Sequence, residues 1–506
     1  MKMSRTSGRL RDAIRSCCLV CCVALIAVHA AAQAGAPDKS PVQAKHTGPA
    51  STVERADAGT IAVLMVSDIH FEPFWDPAKA VKLAAAPASE WHAILAAPAS
   101  PDQAARFVAV EQGCHTRGED TTFALFASSL RAMRAHAAGA KFVTVSGDLM
   151  SHAFDCKFDA VFPKAEKGDY SAFAAKTVEY VVDELRAMLP GVPVYAALGN
   201  NDSGCGDYKL DANSEFLAAT GKALVADVPP AEQARALETF AAGGYYSVSL
   251  PSPMKNARLL VLNDIFMSRQ YTTCGGTPDP APAVEQITWL QKEIAAARAN
   301  NQKLWVMSHI PPGINPYSTI SKMRNICGGK APDFFLSSDD LANALAGSGD
   351  VVQLAIFAHT HMDELRLIGA GGKDPVAMKM VASISPIDGN SPSITVARID
   401  PADDLMKDYR VFVASNTTGI GTVWNEEYDF VKSLHEPAFS APALEHMIAG
   451  FKADPNAATE ASHNYLAHYY VRDASLALQA FWPEYVCALG NYTAESFKSC
   501  MCSGGQ

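Results

Sequence analysis

The chain has 506 residues, of which 49% are hydrophobic and 19% are charged, and its formal net charge is −11. This composition is that of a folded protein with a large core, so it excludes a disordered chain, and the length exceeds that of one small domain. An acidic chain does not attract polyanions at long range, so we expect neither nucleic acid nor an anionic membrane surface as its main partner.

The first 34 residues have the pattern of a secretory signal peptide. Basic residues precede an apolar run over residues 17–32, which is shorter than a bilayer-spanning helix, and Ala32-Gln33-Ala34 offers a cleavage point. Residues 35–59 are rich in Ala, Gly, Pro and Lys and predict a linker. No later stretch is long and apolar enough to cross a membrane. We therefore expect an exported protein, secreted or periplasmic, without a transmembrane segment after signal removal.

The cysteines predict disulfide bonds. Four of the 12 Cys residues lie in the predicted signal peptide, and eight remain. An even set in an exported protein indicates disulfides rather than thiolate metal ligands. A bridge between Cys487 and Cys500, which are close in sequence, would contribute about 3 kcal/mol in the chain-entropy account.

Predicted strands and helices alternate over the first 360 residues. Apolar, strand-like runs occupy residues 61–66, 141–145, 192–198, 258–262, 304–307 and 354–357, and helical spacing occupies residues 122–138, 172–189 and 287–297. This alternation favours an α/β architecture with helices on the outside. We predict a catalytic domain over residues 60–422.

Two parts of the chain break this alternation. Residues 78–120, rich in Ala and Pro, predict an irregular insertion, and strand-like runs at 376–384, 394–399 and 409–413 indicate a second sheet. After about residue 423 the pattern is helical with interleaved aromatic residues, which are more often core than binding platform. This pattern predicts a C-terminal helical subdomain over residues 423–506.

Each of five predicted strands ends in a polar motif. The motifs, in chain order, are Asp68-Ile69-His70, Gly147-Asp148, Gly199-Asn200, Ser308-His309 and His359-Thr360-His361. Polar residues just past the carboxyl ends of sheet strands meet in one crevice of an α/β fold. Each motif alone is commonly a turn or a satisfied polar pair, but five in order are hard to explain by chance.

These motifs predict a site for two divalent metal ions. Hydrolysis of a phosphate ester needs a nucleophile near neutral pH and positive charge facing the phosphoryl oxygens, and two ions with a bridging hydroxide supply both. A carboxylate is the natural bridge, which predicts Asp148 between the ions. The histidine-rich set favours zinc, although manganese or iron would fit similar ligands. The first ion would take Asp68, His70 and His361, and the second Asn200, His309 and His359.

The ordered motifs resemble the signature of calcineurin-like metallophosphoesterases. Four further features resemble acid sphingomyelinases and their phosphodiesterase-like relatives. They are Phe71-Glu72-Pro73, Gly244-Tyr245-Tyr246-Ser247, the Pro-Pro-Gly after Ile310, and the late pair Cys487 and Cys500. The resemblance runs from about residue 60 to the C-terminus. It implies a di-zinc site, a four-layer α/β/β/α core, a C-terminal helical subdomain and phosphodiester cleavage. It also implies the disulfides Cys274–Cys327 and Cys487–Cys500.

Two features depart from these relatives. Asn201 stands where they usually have a His that protonates the leaving group, and an amide donates no proton usefully. The prediction for a general acid therefore moves to His152, four residues after Asp148, although a supporting or surface role is the other reading. No Cys-rich saposin-like module precedes the catalytic strands. Its absence favours a small, soluble or self-dispersing phosphodiester, sphingomyelin-like or nucleotide-like, over a lipid held in a membrane.

Two alternatives remain open. Gly199-Asn200-Asn201-Asp202 also resembles endopolyphosphatases of the same superfamily, which would cleave phosphoanhydrides. A protein that keeps the fold and the metal but has lost turnover is the second alternative. Metal content without hydrolysis of an activated diester would favour that protein.

Overall fold

The structure is a computed structural model that describes residues 59–254, 256–472 and 476–502. The predicted signal peptide and residues 35–58 of the predicted linker lie outside the described residues. Within them, every helix is too short or too polar to cross a bilayer.

Strands and helices alternate through the N-terminal two thirds of the described chain. The strands are β1 (Ile61–Val66), β2 (Val143–Val145), β3 (Val194–Ala196), β4 (Tyr246–Ser249), β5 (Ala257–Val261), β6 (Lys303–Met307), β7 (Val352–Phe357), β8 (Glu364–Ile368), β9 (Val376–Met380), β10 (Ser393–Asp400), β11 (Leu405–Ala414) and β12 (Trp424–Asp429). The helices are α1 (Pro77–Ala85), α2 (Trp91–Ala96), α3 (Gln103–Cys114), α4 (Phe123–His136), α5 (Phe154–Val161), α6 (Asp169–Met188), α7 (Glu215–Leu224), α8 (Pro230–Gly243), α9 (Ala281–Ala299), α10 (Pro316–Ser321), α11 (Asp340–Leu345), α12 (Phe430–Leu434), α13 (Ala441–Ala453), α14 (Glu460–Tyr469), α15 (Leu476–Ala480), α16 (Trp482–Gly490) and α17 (Ala494–Cys502). Two short 3₁₀ helices cover Ala88–Glu90 and Asp264–Met267.

The strands of the described residues form two sheets of six. The first has the order β12-β11-β10-β1-β2-β3, and the second β4-β5-β6-β7-β9-β8. In the first sheet β1, β2 and β3 are parallel, and β10 pairs antiparallel with β1. In the second sheet β5, β6, β7 and β9 are parallel, with β4 and β8 antiparallel at the edges. The carboxyl ends of the parallel strands carry the polar motifs.

The two sheets pack face to face because side chains alternate along each strand. In β6, Trp305 and Met307 belong to the apolar cluster between the sheets, whereas Leu304 and Val306 belong to the cluster beneath the outer helices α9 and α11. The Trp305 ring lies 5.7 Å from Phe142, the residue before β2. Helices α4 and α6 pack on the other side of the first sheet. The four-layer α/β/β/α core is therefore confirmed.

The grouping of the late strands was predicted wrongly. β9 joins the second sheet beside β7, whereas β10 and β11 extend the first sheet from β1. Alternating hydrophobicity identifies a strand but not its partners, which long-range pairing decides. Residues 424–429 are strand β12 rather than helix, because they pair antiparallel with β11, so the helical segment begins at Phe430.

The predicted irregular insertion, residues 78–120, is largely helical up to Cys114. Asp76 caps α1 by accepting hydrogen bonds from the backbone N–H groups of Ala78 and Lys79. The alanines that suggested low order are strong helix formers, and α1 to α3 bury Leu83, Trp91 and Phe107. A disulfide from Cys114, at the end of α3, to Cys156 in α5 ties the insertion to the core.

Four disulfides join cysteines of the described residues, namely Cys114–Cys156, Cys205–Cys274, Cys327–Cys502 and Cys487–Cys500. The Cys487–Cys500 prediction is confirmed. The Cys274–Cys327 prediction is wrong because the chain around Cys274 pairs with the loop after β3. Backbone bonds join Leu210 to Thr272 and Thr272 to Tyr208, which brings Cys205 to Cys274 with 5.6 Å between their Cα atoms.

Candidate metal centre

The loops after β1 and β2 are joined by backbone hydrogen bonds. The Asp68 N–H donates to the Gly147 carbonyl, and the His70 N–H donates to the Asp148 carbonyl. These bonds continue the parallel pairing of the two strands past their ends. They bring Asp68, His70 and Asp148 to one point.

The loops after β3, β6 and β7 reach the same point. The Asp148 Oδ2 lies 3.4 Å from His70 Nε2 and 3.2 Å from His309 Nε2. On one side, His361 Nε2 is 3.1 Å from His70 Nε2 and 3.5 Å from Asp68 Oδ1. On the other side, His309 Nε2 is 3.2 Å from both Asn200 Oδ1 and His359 Nδ1. All seven residues predicted as ligands therefore converge, with the Asp148 carboxylate in the middle.

The donor set suits a metal ion. Both oxygens of Asp68 are buried and have no hydrogen-bond partner among the described residues, and the nearest His nitrogens are 3.5 to 3.9 Å away. A buried carboxylate without such partners is costly unless a cation faces it. The structure holds clusters of His and carboxylate whose ligand atoms are close enough to share an ion. These residues fit divalent metal binding.

The far nitrogens of the four rings face polar atoms of the protein. His70 Nδ1 and His309 Nδ1 each lie 2.8 Å from a backbone carbonyl, of Met150 and Ser146 respectively. A carbonyl accepts a hydrogen bond from Nδ1–H, so Nε2 is the nitrogen that faces the centre. His359 Nε2 lies 3.3 Å from the Tyr208 hydroxyl, and His361 Nδ1 lies 3.3 Å from Asp388 Oδ2.

The backbone of the site is strained. Five of the seven residues have positive φ, namely Asp68, His70, Asp148, His359 and His361, with values from 45° to 72°. L-residues rarely adopt this region, and such strain collects at functional sites. Two glycines permit the crowding. A Cβ on Gly147 would lie 2.8 Å from His309 Nδ1, and one on Gly199 would lie 2.1 Å from Asp148 Oδ1.

Charge interactions among these residues are strong. Burial alone would lower the pKa of each His, but the carboxylates of Asp148 and Asp68 outweigh burial at His70 and His309 and raise their pKa values to about 9 and about 10. At His359 and His361, burial and neighbouring His residues keep the pKa low, at about 3 and about 4. Burial would raise the pKa of Asp148, yet His309 and His70 hold it well below its usual value. The two carboxylates stay ionised, and the site favours positive charge between them.

His152 lies beside this cluster. Its ring stacks on His70 with 3.9 Å between ring centroids, and its side chain is 21% exposed. Its backbone N–H donates to Asp120 Oδ2, and its Nδ1 lies 3.0 Å from Asp120 Oδ1. Asn201, in contrast, is turned inward, since its backbone N–H and its amide both donate to Asp148 at 2.9 Å. That amide helps to fix the central carboxylate.

Several supporting residues escaped the sequence analysis. Asp202 accepts backbone hydrogen bonds from Leu149, Met150 and Gly199, which joins the loops after β2 and β3. It was visible in the Gly-Asn-Asn-Asp motif, but its partners were not. Asp207 accepts a hydrogen bond from the Asn200 amide at 2.8 Å. Like the residues that face His152, His359 and His361, it lies in a loop whose local sequence gives no signal of this role.

The sequence over residues 61–363 matches the family profile of calcineurin-like phosphoesterases. The chain is 24% identical to human acid sphingomyelinase-like phosphodiesterase 3b, over 76% of this chain and 81% of that protein. It is 26% identical to the cyclic GMP-AMP phosphodiesterase SMPDL3A of Rattus norvegicus, over 62% of this chain and 69% of that protein. It is 27% identical to sphingomyelin phosphodiesterase of Bos taurus, over 59% of this chain and 45% of that protein. The resemblance inferred from the motifs is confirmed.

Proposed function

Because the chain belongs to the calcineurin-like phosphoesterase family, we propose that it hydrolyses a small phosphodiester at the centre described above, with two divalent metal ions. One observation carries this proposal. The Asp148 carboxylate lies between two sets of His and oxygen donors, while the buried oxygens of Asp68 lack hydrogen-bond partners among the described residues. Both features fit a bridged pair of ions.

Each ion has its own set of ligands in this proposal. One set comprises Asp68, His70 and His361, the other comprises Asn200, His309 and His359, and Asp148 serves both. Four His nitrogens favour zinc, with manganese or iron as alternatives. When bound, the ions would activate the attacking water and neutralise charge on the phosphoryl oxygens. The residues of the chain fix the ring tautomers, hold the carboxylates ionised and exclude bulk water.

His152 would deliver the proton to the departing alkoxide. It lies beside His70 at the edge of the cluster and is partly exposed, so its ring is within reach of a substrate held at the centre. Asn201 donates to Asp148 instead and carries no transferable proton. A positioned His contributes about 10²- to 10⁴-fold to such a step.

The substrate class follows from the relatives. Three of them are named for the hydrolysis of sphingomyelin-like or cyclic dinucleotide diesters, which supports a phosphodiester rather than a phosphoanhydride. We propose a sphingomyelin-like or nucleotide-like diester, and polyphosphate remains the alternative from the Gly-Asn-Asn-Asp motif. The division into a catalytic domain and a C-terminal helical subdomain is also a proposal, with the helices beginning at Phe430.

Export of the mature chain is part of the proposal. All eight cysteines after the predicted signal peptide are paired in disulfides, which form and persist in oxidising compartments. The secreted or periplasmic location predicted from the N-terminus agrees with this pairing. Fractionation of expressing cells, with detection of the processed N-terminus, tests it.

The decisive experiment is a substrate panel with metal analysis. Purified protein should contain about two equivalents of metal and hydrolyse bis(p-nitrophenyl) phosphate, whose leaving group needs no acid. Turnover of a phosphocholine diester or a dinucleotide above that of polyphosphate would support the proposal. Two bound ions without turnover of the activated diester would indicate a binding protein, and preference for polyphosphate would indicate the phosphoanhydride alternative.

A further inference from the structure

Asp120 is fully buried and contacts His152 through both carboxylate oxygens. Its Oδ2 accepts the backbone N–H of His152 at 2.8 Å, and its Oδ1 lies 3.0 Å from the ring Nδ1. One carboxylate thus fixes the main chain and the ring of the same residue. The ring cannot rotate without breaking the second contact.

Two buried groups hold Asp120 from the other side. The Ser385 hydroxyl donates to Asp120 Oδ1 at 2.9 Å, and Lys157 Nζ lies 3.7 Å from Asp120 Oδ2. Lys157 also forms an ion pair with Glu72, whose other oxygen accepts the Phe74 N–H. Burial would raise the pKa of Asp120, but His152, Lys157 and His70 outweigh it and hold the pKa well below its usual range. Asp120 is therefore an ionised acceptor in a fixed position.

The backbone around Asp120 is fixed as well. Thr121 N–H donates to the His70 carbonyl, and Glu72 N–H donates to the Thr121 carbonyl, so this segment pairs with the loop that carries a proposed metal ligand. The Cys114–Cys156 disulfide joins the chain six residues before Asp120 to the chain four residues after His152. The helical insertion thus delivers Asp120 to the site from outside the five polar motifs.

We propose that Asp120 is the positioning residue for His152 in phosphodiester cleavage. By accepting a hydrogen bond from Nδ1–H it leaves the Nε2 proton to face the substrate, and by accepting the backbone N–H it sets the ring against His70. The inference rests on the proposed role of His152 and deepens it. With an Asn at position 201, the Asp120–His152 pair carries the whole task of leaving-group protonation.

The alternative is that Asp120 only stabilises the fold, as a buried carboxylate paired with Lys157. Stability alone would lower the rate on all substrates in proportion to the folded fraction. A positioning role affects only substrates that need a proton on the leaving group. The dependence of the rate on the leaving group therefore separates the two.

The test uses Asp120→Asn, His152→Ala and the double variant, each as the full-length metal-loaded enzyme. We expect Asp120→Asn to lower kcat about 100-fold on a diester with an alkyl leaving group and less than threefold on bis(p-nitrophenyl) phosphate. The double variant should be no slower than His152→Ala, because the two residues act in one step. Metal content should stay at that of the wild type.

Ser385→Ala is the milder variant, which keeps both ions of the Asp120–Lys157 pair and removes one hydrogen bond to Asp120. We expect a smaller loss in the same sense, about three- to tenfold on the alkyl diester only. Equal losses on both substrates, or a double variant slower than His152→Ala by the full factor lost in Asp120→Asn, would overturn the role of Asp120. Should His152→Ala itself affect both substrates equally, the proposed acid is wrong and this inference falls with it. If His152→Ala loses activity on the alkyl diester alone and Asp120→Asn loses none, the inference about Asp120 is wrong and the proposed function stands.

Discussion

Replacement of Asp148 by Asn tests the bridged centre most directly. Asp148 Oδ2 is within 3.4 Å of His70 Nε2 and 3.2 Å of His309 Nε2, which belong to the two proposed ligand sets. The amide keeps the shape and one carbonyl oxygen but removes the negative charge. Both ions should lose affinity, whereas Asp68→Asn should weaken one.

The magnitude follows from Coulomb's law. Two unit charges 4 Å apart interact by about 4 kcal/mol at an effective dielectric constant of 20, which corresponds to about 10³-fold in binding. Since each ion is divalent and the amide oxygen remains a weak ligand, we take 10³-fold as the order of the loss for each ion. Zinc should then fall from about two equivalents to near none at micromolar concentration.

The assay is metal content after gel filtration, together with hydrolysis of bis(p-nitrophenyl) phosphate and circular dichroism of the fold. Asp408→Asn, a buried carboxylate in β11, is the matched control and should keep both metal and activity. We expect Asp148→Asn to lose at least 10³-fold in rate with an unchanged spectrum. Wild-type metal stoichiometry and rate in Asp148→Asn would refute the bridge.

Three other changes have definite outcomes. Gly199→Ala would place a Cβ 2.1 Å from Asp148 Oδ1. We therefore expect at least a tenfold loss of activity and a loss of about 1 to 3 kcal/mol in the free energy of unfolding, measured with urea. Gly113→Ala, with open space around it in α3, is the control and should lower neither activity nor stability. Burial and the Asp429 carboxylate raise the pKa of Asp408 from 3.8 to about 6, so folded protein keeps a proton that the unfolded chain loses and stability falls as the pH rises from 4 to 6; Asp408→Asn should therefore add about 1 kcal/mol at pH 8 and nothing at pH 3, and an equal gain at both would contradict this reasoning. Chelation should lower the melting temperature of the wild type, and zinc should restore it, because ligands that bind only the folded state stabilise it; the melting temperature of Asp148→Asn should not respond.

The strands that carry the proposed ligands could be predicted because their signals are local. An apolar run that stops at a polar motif is visible in sequence, and β1 was placed at its observed residues, Ile61–Val66. The order of the sheets was not visible, since β9 and β10 have similar patterns and go to different sheets. Pairing across more than a hundred residues leaves no trace in local hydrophobicity.

The supporting residues of the centre were hidden for a related reason. Asp120 lies in a segment whose composition suggested irregular structure. Its proposed role depends on contacts with His152 and Ser385, which are far away in the chain. The positive φ angles at Asp68 and His70 are likewise imposed by tertiary structure, because neither residue type requires them. Disulfide partners depended on loop pairing, which explains the error at Cys274.

The position of β1 has a consequence for fragments of this protein. The matched family segment ends at residue 363, yet Ile61 pairs with Ile399, and three of the six strands in that sheet come from the chain after residue 392. A clone cut at the end of the matched segment would present β1 as an open edge, ready to join other chains into aggregates. Expression of a minimal catalytic unit must therefore extend through Asp429, and nascent chains cannot complete the sheet until synthesis has passed that residue.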